Sequence, residues 1–348
     1  MIDGRAFLAT RVNHGNFVTA YTLDELERRI SDARFILPIC SLGTAPQRLS
    51  ELGPLVLPPL YHEALTDELK GRIVERIGQC FPYCDGLRKR TQWQGTLEVV
   101  ELPRAAPPSC PPPRVFAFSV DTAVEEHGPH LPLATDTIQS YAVLDRLADK
   151  FDGFVVGPPV DYGMLTWGLA FGLSIDLTAP LTTQYVTGFV NAVMDWLKPE
   201  SIYVVDVHGS LIHRQAVHAG VKAGHCRRHG FRWLYDPLMP FVAGRDDFHA
   251  GGVETAMIEH IGPDLVDVRW WPARVEELAA EQMPVPLAVE LSQDLPKFIE
   301  HVESRPLNGI VGNIRNYFDV DATLMLERML AVAQDDVQQL LRARKEVP

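Results

Sequence analysis

The sequence predicts an α/β protein built on parallel strands, and three observations carry that expectation. From Arg114 onward, short apolar runs alternate with helical patterns, the order in which strands lie side by side and helices serve as crossovers. Ser201–Val207 (SIYVVDV) is a continuous, largely β-branched run, as a strand buried on both faces requires. Thr183–Lys198 places Tyr185, Phe189, Val193 and Leu197 on one face and stops at Pro199, which makes it a helix laid against such a sheet.

Taken in order, Thr22–Ser31 spaces Leu23, Leu26 and Ile30 as an amphipathic helix behind a threonine cap, and Phe35–Cys40 (FILPIC) reads as a strand. Thr66–Gly78 is a second helix and Thr96–Leu102 a strand, while Leu55–Pro59 is apolar but bounded by proline. Pro103, Pro107, Pro108, Pro111, Pro112 and Pro113 then form an extended crossing. It divides an N-terminal region, 1–114, from a second one, 115–345. Arg114–Val120 is a strand, Thr137–Lys150 a helix and Gly153–Val160 a strand. Asp161–Pro180, rich in glycine and aromatics, reads as loop or strand and could line a pocket. After the Ser201–Val207 strand, His213–His229 reads as a helix ended by Gly230, and Arg232–Tyr235 as a strand. A helix runs from Glu254 to Ile261, residues 264–308 carry few signals, Gly309–Asn313 is a tight loop, and Ala322–Arg344 is a long amphipathic helix.

Composition narrows the function. The chain has 348 residues, 46% apolar and 22% charged, room for one large domain or two ordinary ones. No run approaches the length of a membrane span. The opening MIDGRAFLATRVNHGNF has neither a basic segment nor an apolar core, so a cytoplasmic protein is expected. A net charge of -13 argues against an extended nucleic-acid or anionic-membrane surface, leaving a small molecule as the expected partner. Cys40, Cys80, Cys84, Cys110 and Cys226 are irregularly spaced, as reduced thiols are.

The chemistry gathers in Glu125–Asp136 (EEHGPHLPLATD). It follows a predicted strand, and residues two apart on an extended chain face the same way, so Glu125 and His127 point together. Pro129 and Pro132 turn the chain, which lets Asp136 return to the same point. Carboxylate, imidazole and carboxylate converging at a strand end suit a divalent cation. Equally, Glu125 could be a solvated charge, Asp136 or Thr135 a helix cap, and His127 and His130 ordinary loop histidines. His208, in His208-Gly209-Ser210, stands where a strand should end, the place where open α/β sheets collect ligands. His249-Ala250-Gly251-Gly252-Val253-Glu254 lets backbone approach closely and puts Glu254 in a first helical turn. The histidines of the predicted 213–229 helix lack a companion carboxylate and read as a solvated basic face.

From about Val115 to Arg344 the chain resembles the creatininase family of metal-dependent amidohydrolases. EEHGPHLPLATD is similar to that family's Glu-Gln-His-Gly-Pro-His-Leu-Pro followed by Thr-Asp, DVHGS falls at its Asn-Gly-His-Gly, and HAGGVETA resembles its His-Ala-Gly-Glu-x-Glu-Thr-Ser. The resemblance implies a three-layer α/β/α sandwich with a mostly parallel central sheet, and a centre of two divalent ions, zinc or manganese, with iron also compatible with the donors. Asp136 would bridge the ions, Glu125 and His208 would hold one, and His127 and Glu254 the other. Glu125 and His249 would act in catalysis, and His249, Ser210 and Trp167 would meet the substrate. The implied reaction is hydrolysis of a cyclic or linear amide by metal-activated water, with His249 protonating the departing nitrogen. Homo-oligomers, hexamers in the family, are also implied.

Departures bear on the substrate. Asp206-Val207 replaces Asn-Gly, Ser210 stands where creatininase supplies a glutamate, Gly252 replaces the first Glu of the third motif, and Trp167 lies where relatives commonly have histidine. They put creatinine itself in doubt. Peptidase or deformylase activity, or a non-catalytic scaffold, are the rival expectations. The segment TLDELERRISDARFILPICSLG resembles the start of a family member without its Glu-x-His motif, so residues 1–114 are read either as a degenerate partial copy of the fold or as an unrelated accessory segment.

Overall fold

A computed structural model of the protein describes residues 33–44, 49, 51–52, 55–80, 95–122, 124–165, 168–266 and 271–342. The expected Thr22–Ser31 helix, Cys84 and Trp167 lie outside them. Two parallel sheets organise the described chain. The first contains β1 (Ala33–Cys40), β2 (Leu60–Tyr61) and β3 (Gly95–Glu101) in the order β2-β1-β3. The second contains β4 (Val115–Ser119), β5 (Phe154–Val156), β6 (Ile202–Asp206) and β7 (His229–Trp233) in the order β5-β4-β6-β7. All pairings are parallel. The order β2-β1-β3 repeats that of β5-β4-β6.

The second sheet is the middle of a sandwich. β4 and β6 are buried at every position, and successive side chains go to opposite faces. Phe116, Phe118, Ile202 and Val204 join a core with α3 (Ala179–Leu197) and α4 (Leu211–Ala223). Val115, Ala117, Tyr203 and Val205 join another with α2 (Thr135–Ala148), α6 (Gly252–Ile261) and α10 (Ala322–Arg342). This is the three-layer arrangement expected, and continuous β-branched strands are what two covered faces demand.

The first core also takes in Phe35, Leu37 and Ile39 of β1 and Ile73 and Ile77 of α1 (Asp67–Cys80). Helix α3 therefore carries two loads. Tyr61 packs edge-on to Phe189 at 5.5 Å, and Tyr61 N donates to the Tyr185 hydroxyl at 3.2 Å. At Gly188 any side chain would run into the Ala64 carbonyl, so only glycine lets helix and backbone meet there. The proline crossing from Pro103 to Pro113 has no regular structure.

Three expectations need correction. The helix expected at His213–His229 ends at Ala223, and His229-Gly230 open β7. Gly224 N returns to the Gly220 carbonyl, and a side chain at 224 would strike Val190 of α3, so the chain leaves the helix at this crossing. The described residues of 264–308 include three short α-helices, α7 (Ala273–Ala280), α8 (Val285–Leu291) and α9 (Leu295–Glu303). Prolines at their starts mark them, since proline fits the first helical turn. Glu125 and His127 lie in a loop beyond β4, not on an extended strand. The short helix α5 (Met239–Gly244) lies between β7 and α6.

Candidate metal centre

The site forms where strand ends meet helix starts. Beyond β4, Gly128 takes φ +69°, a conformation that favours glycine, and turns the chain between His127 and His130. The chain then enters α2, whose first turn carries Asp136. Asp136 is not the helix cap, a position held by Ala134 without a side-chain bond. Beyond β6 come His208 and Ser210, and Ser210 caps α4 by accepting the His213 amide at 3.3 Å. From α6, Glu254 reaches back to accept the Ala250 amide at 2.6 Å.

These segments bring the predicted residues together, nearly all of them away from water. Exposure is 3% for Glu125, 0% for His127, 2% for Asp136, and 7% for both His208 and Glu254. Asp136 stands between the two imidazoles. Its Oδ2 lies 3.2 Å from His208 Nδ1, which is also 3.0 Å from Glu125 Oε2. Its Oδ1 lies 3.4 Å from His127 Nε2, which is 4.0 Å from Glu254 Oε2. Possible ligand atoms of Glu125, His127 and Asp136, and of His127, His249 and Glu254, fall within 4.8 Å of one another.

The donors fit divalent ions. His127 Nδ1 donates to the Glu125 carbonyl at 3.1 Å, which fixes the ring so that Nε2 faces Asp136 and Glu254 with no hydrogen bond of its own. Such anchoring of one ring nitrogen is how proteins prepare the other for a metal. Burial alone would strip the proton from His127, yet Asp136, Glu254 and Glu125 push its pKa up to about 10. Burial likewise opposes the charged form of His208, but Glu125 and Asp136 raise it well above the usual range. Burial would raise Asp136, and the two imidazoles outweigh it and hold that carboxyl low. Burial lifts Glu254 to about 8 against His127, with Asp136 adding to the rise. Asp136 and Glu125 thus favour protonated imidazoles while Glu254 holds its own proton, and a cation at this point would serve the same charge balance.

His249 lies beside the second group, its ring centroid 4.3 Å from that of His127. Its Nε2 donates to the Glu126 carbonyl at 2.8 Å. Burial first, and then the charge on His127, lower its pKa to about 4, so it is a neutral imidazole at pH 7. His249, Glu125 and Ser210 line one pocket, whose other wall is Phe171, Trp233, Tyr235, Met239 and Phe248. His130 contacts Thr255 Oγ1 at 2.8 Å, away from the ligand pairs.

Several residues escaped sequence reasoning. Thr122 donates to Glu125 and lies 3.3 Å from His208 Nδ1. Asp121 accepts the Val207 amide at 2.9 Å and Asp206 the His208 amide at 2.8 Å, so two buried carboxyls hold the His208 backbone. Asp206 was visible as the residue replacing asparagine; the others carry no local signal. The aromatic wall comes from β7, the segment after it and, with Phe171, the stretch before α3.

A parallel α/β sandwich with carboxylates and imidazoles at its strand ends defines the class: an α/β protein with a candidate dinuclear metal centre. The family model Creatininase, described as creatinine amidohydrolase, matches residues 121–330, and the chain belongs to the creatininase family. Among solved structures, a glutamate-to-glutamine mutant of creatininase complexed with creatine is similar with a TM-score of 0.50 and 18% identity, over 65% of this chain and 91% of that one. A crystal structure of creatinine amidohydrolase gives 0.49 and 19%, over 65% and 89%. The mycofactocin precursor peptide peptidase of Mycolicibacterium smegmatis (strain ATCC 700084 / mc(2)155) is 29% identical over 149 residues. That stretch is 41% of this chain and 57% of the relative, little more than half its length.

Proposed function

We propose that this protein is a metal-dependent amidohydrolase holding two divalent ions, zinc or manganese, with Asp136 shared, Glu125 and His208 on one side, and His127 and Glu254 on the other. The observation that carries the reading is the split of Asp136, one carboxylate oxygen toward each imidazole. When bound, such ions supply an activated water and polarise the carbonyl under attack.

The chain's own residues do the rest. Thr122 orients Glu125 through its hydroxyl, and Asp206 fixes the His208 backbone. His249 holds its Nε2 proton on the Glu126 carbonyl, which leaves Nδ1 to take a proton from the attacking water and deliver it to the departing nitrogen. Tyr235 donates its hydroxyl to Gln139 at 2.7 Å and Trp233 its indole N–H to Val207 at 3.0 Å. With those polar handles engaged, the wall presents apolar faces and selects an amide with an apolar flank.

A second reading, hydrolysis at a peptide end, is favoured by the mouth of the pocket. Phe248 lines the pocket and is 36% exposed, an apolar side chain on which a longer substrate could rest. The named peptidase relative adds weight to it. The described residues before 115 fit best as a partial copy of the fold, since β2-β1-β3 has the order of β5-β4-β6.

Reconstitution with zinc or manganese, then mass spectrometry of lactams, formamides and short peptides for gain of one water, tests the reading. Turnover of at least one class with metal, and none without, is expected. Less than one equivalent of transition metal after reconstitution would favour a scaffold.

A further inference from the structure

Arg76 belongs to α1, before the proline crossing, yet its guanidinium engages the other half of the chain. Its Nε donates to the Asp176 carbonyl at 2.9 Å and its Nη2 to the Asp176 carboxylate. The other oxygen of that carboxylate accepts the Leu165 amide at 2.7 Å, and Leu177 N donates to the Gly163 carbonyl at 2.7 Å. Asp176 thus closes a loop between Gly163 and Leu177, and Arg76 fastens the closure from outside. With side chains 22% and 8% exposed, the pair is unlike a solvated surface bridge, and its fork geometry sets direction as well as attraction.

From this closure the loop runs to the metal centre. Ile175 N donates to the Val124 carbonyl at 2.8 Å, and Glu126 N donates to Ser174 Oγ at 2.9 Å. Those bonds grip the backbone on either side of Glu125. Gly168 and Phe171 of the same loop line the pocket, and a Cβ at 168 would stand 3.3 Å from Glu125 Oε1. Just before Ser174, Gly172 has φ +89° and Leu173 φ +41°. A buried leucine in the left-handed region is strained and keeps that conformation only where neighbours over-determine it. Asp176, held by Arg76, lies three residues beyond Leu173.

We infer that Arg76 is a positioning residue through which the N-terminal region fixes the described residues of the Gly163–Leu177 loop, and through them the Glu125 carboxylate. The part of this inference that concerns metal rests on the proposed reading of Glu125 as a ligand; the part that concerns the loop does not.

The test uses the full chain with Arg76→Ala, Arg76→Lys and Asp176→Asn. By amide hydrogen exchange, Leu165, Ile175 and Glu126 should exchange about tenfold faster or more in Arg76→Ala, with Arg76→Lys intermediate and β6 unchanged, as a local opening requires. Asp176→Asn, which keeps the side-chain shape, should loosen the same amides. In chelator competition, one zinc equivalent should weaken by about 10- to 100-fold, the scale of lost outer support, while the other holds. Unchanged loop exchange, or faster exchange everywhere together with a lower unfolding midpoint, would show that Arg76 merely stabilises the fold and would overturn the inference. If the wild type binds no zinc, the metal reading fails while the exchange experiment still decides the loop.

Discussion

Asp136 places Oδ2 3.2 Å from Nδ1 of His208 and keeps its other oxygen for the opposite side of the site. A carboxylate that serves two groups at once has no substitute when removed. Asp136→Ala is expected to lower bound zinc or manganese from two equivalents to below one, and turnover by about a thousandfold or more, the scale of losing a metal-activated water. Elemental analysis and initial rates on the purified variant check it; full metal content with full turnover would end the mechanism.

Metal removal should also be read in stability. Ions that bind only the folded chain stabilise it by about 4 kcal/mol at a thousandfold excess over their dissociation constant. Dialysis against chelator is expected to lower the urea midpoint, and added zinc or manganese to restore it.

Asp161 gives a pH dependence away from the ligands. It is 6% exposed, and burial first and then Asp121 push its carboxyl up to about 8. An acid whose folded pKa exceeds its unfolded one favours folding most at low pH, and that advantage fades as pH rises from about 4 to 8. Asp161→Asn should therefore match the wild type near pH 4 and exceed it by a few kcal/mol, about two to four, near pH 8. Urea melts at both pH values measure the difference.

Phe248 separates the substrate readings. It lines the pocket and is 36% exposed. Phe248→Ser should raise KM about tenfold for peptides with an apolar end, the order of one lost apolar contact, and leave small lactams unaffected. Equal effects on both classes would remove the case for a peptide.

Gly309 has φ +89°, and a methyl group there would strike the Glu126 carboxylate. Gly309→Ala should cost about 2–4 kcal/mol from strain and displacement together, measured by urea unfolding of the apo protein.

Much of this was legible because the signals were local. The run IYVVD of β6 is buried throughout, as a β-branched stretch with helices on both faces must be, and His208 follows it at the strand end. The helical face of Tyr185, Phe189 and Val193 is buried as its period requires. What was not legible depends on neighbours far along the chain. Gly224 ends α4 where α3 approaches, and nothing in the segment itself predicts that crossing. Asp121 and Thr122 are ordinary polar residues until the end of β6 brings Val207 against the first and His208 against the second. Trp233, Met239 and Phe248 become one wall only in three dimensions.

The fit of Gly188 against the Ala64 carbonyl and of Tyr61 against Phe189 has a consequence for the chain as a whole. A fragment beginning at Val115 would expose the aromatic flank of α3 that Tyr61 and Ala64 now cover. The two halves share one packed core, and neither is covered without the other.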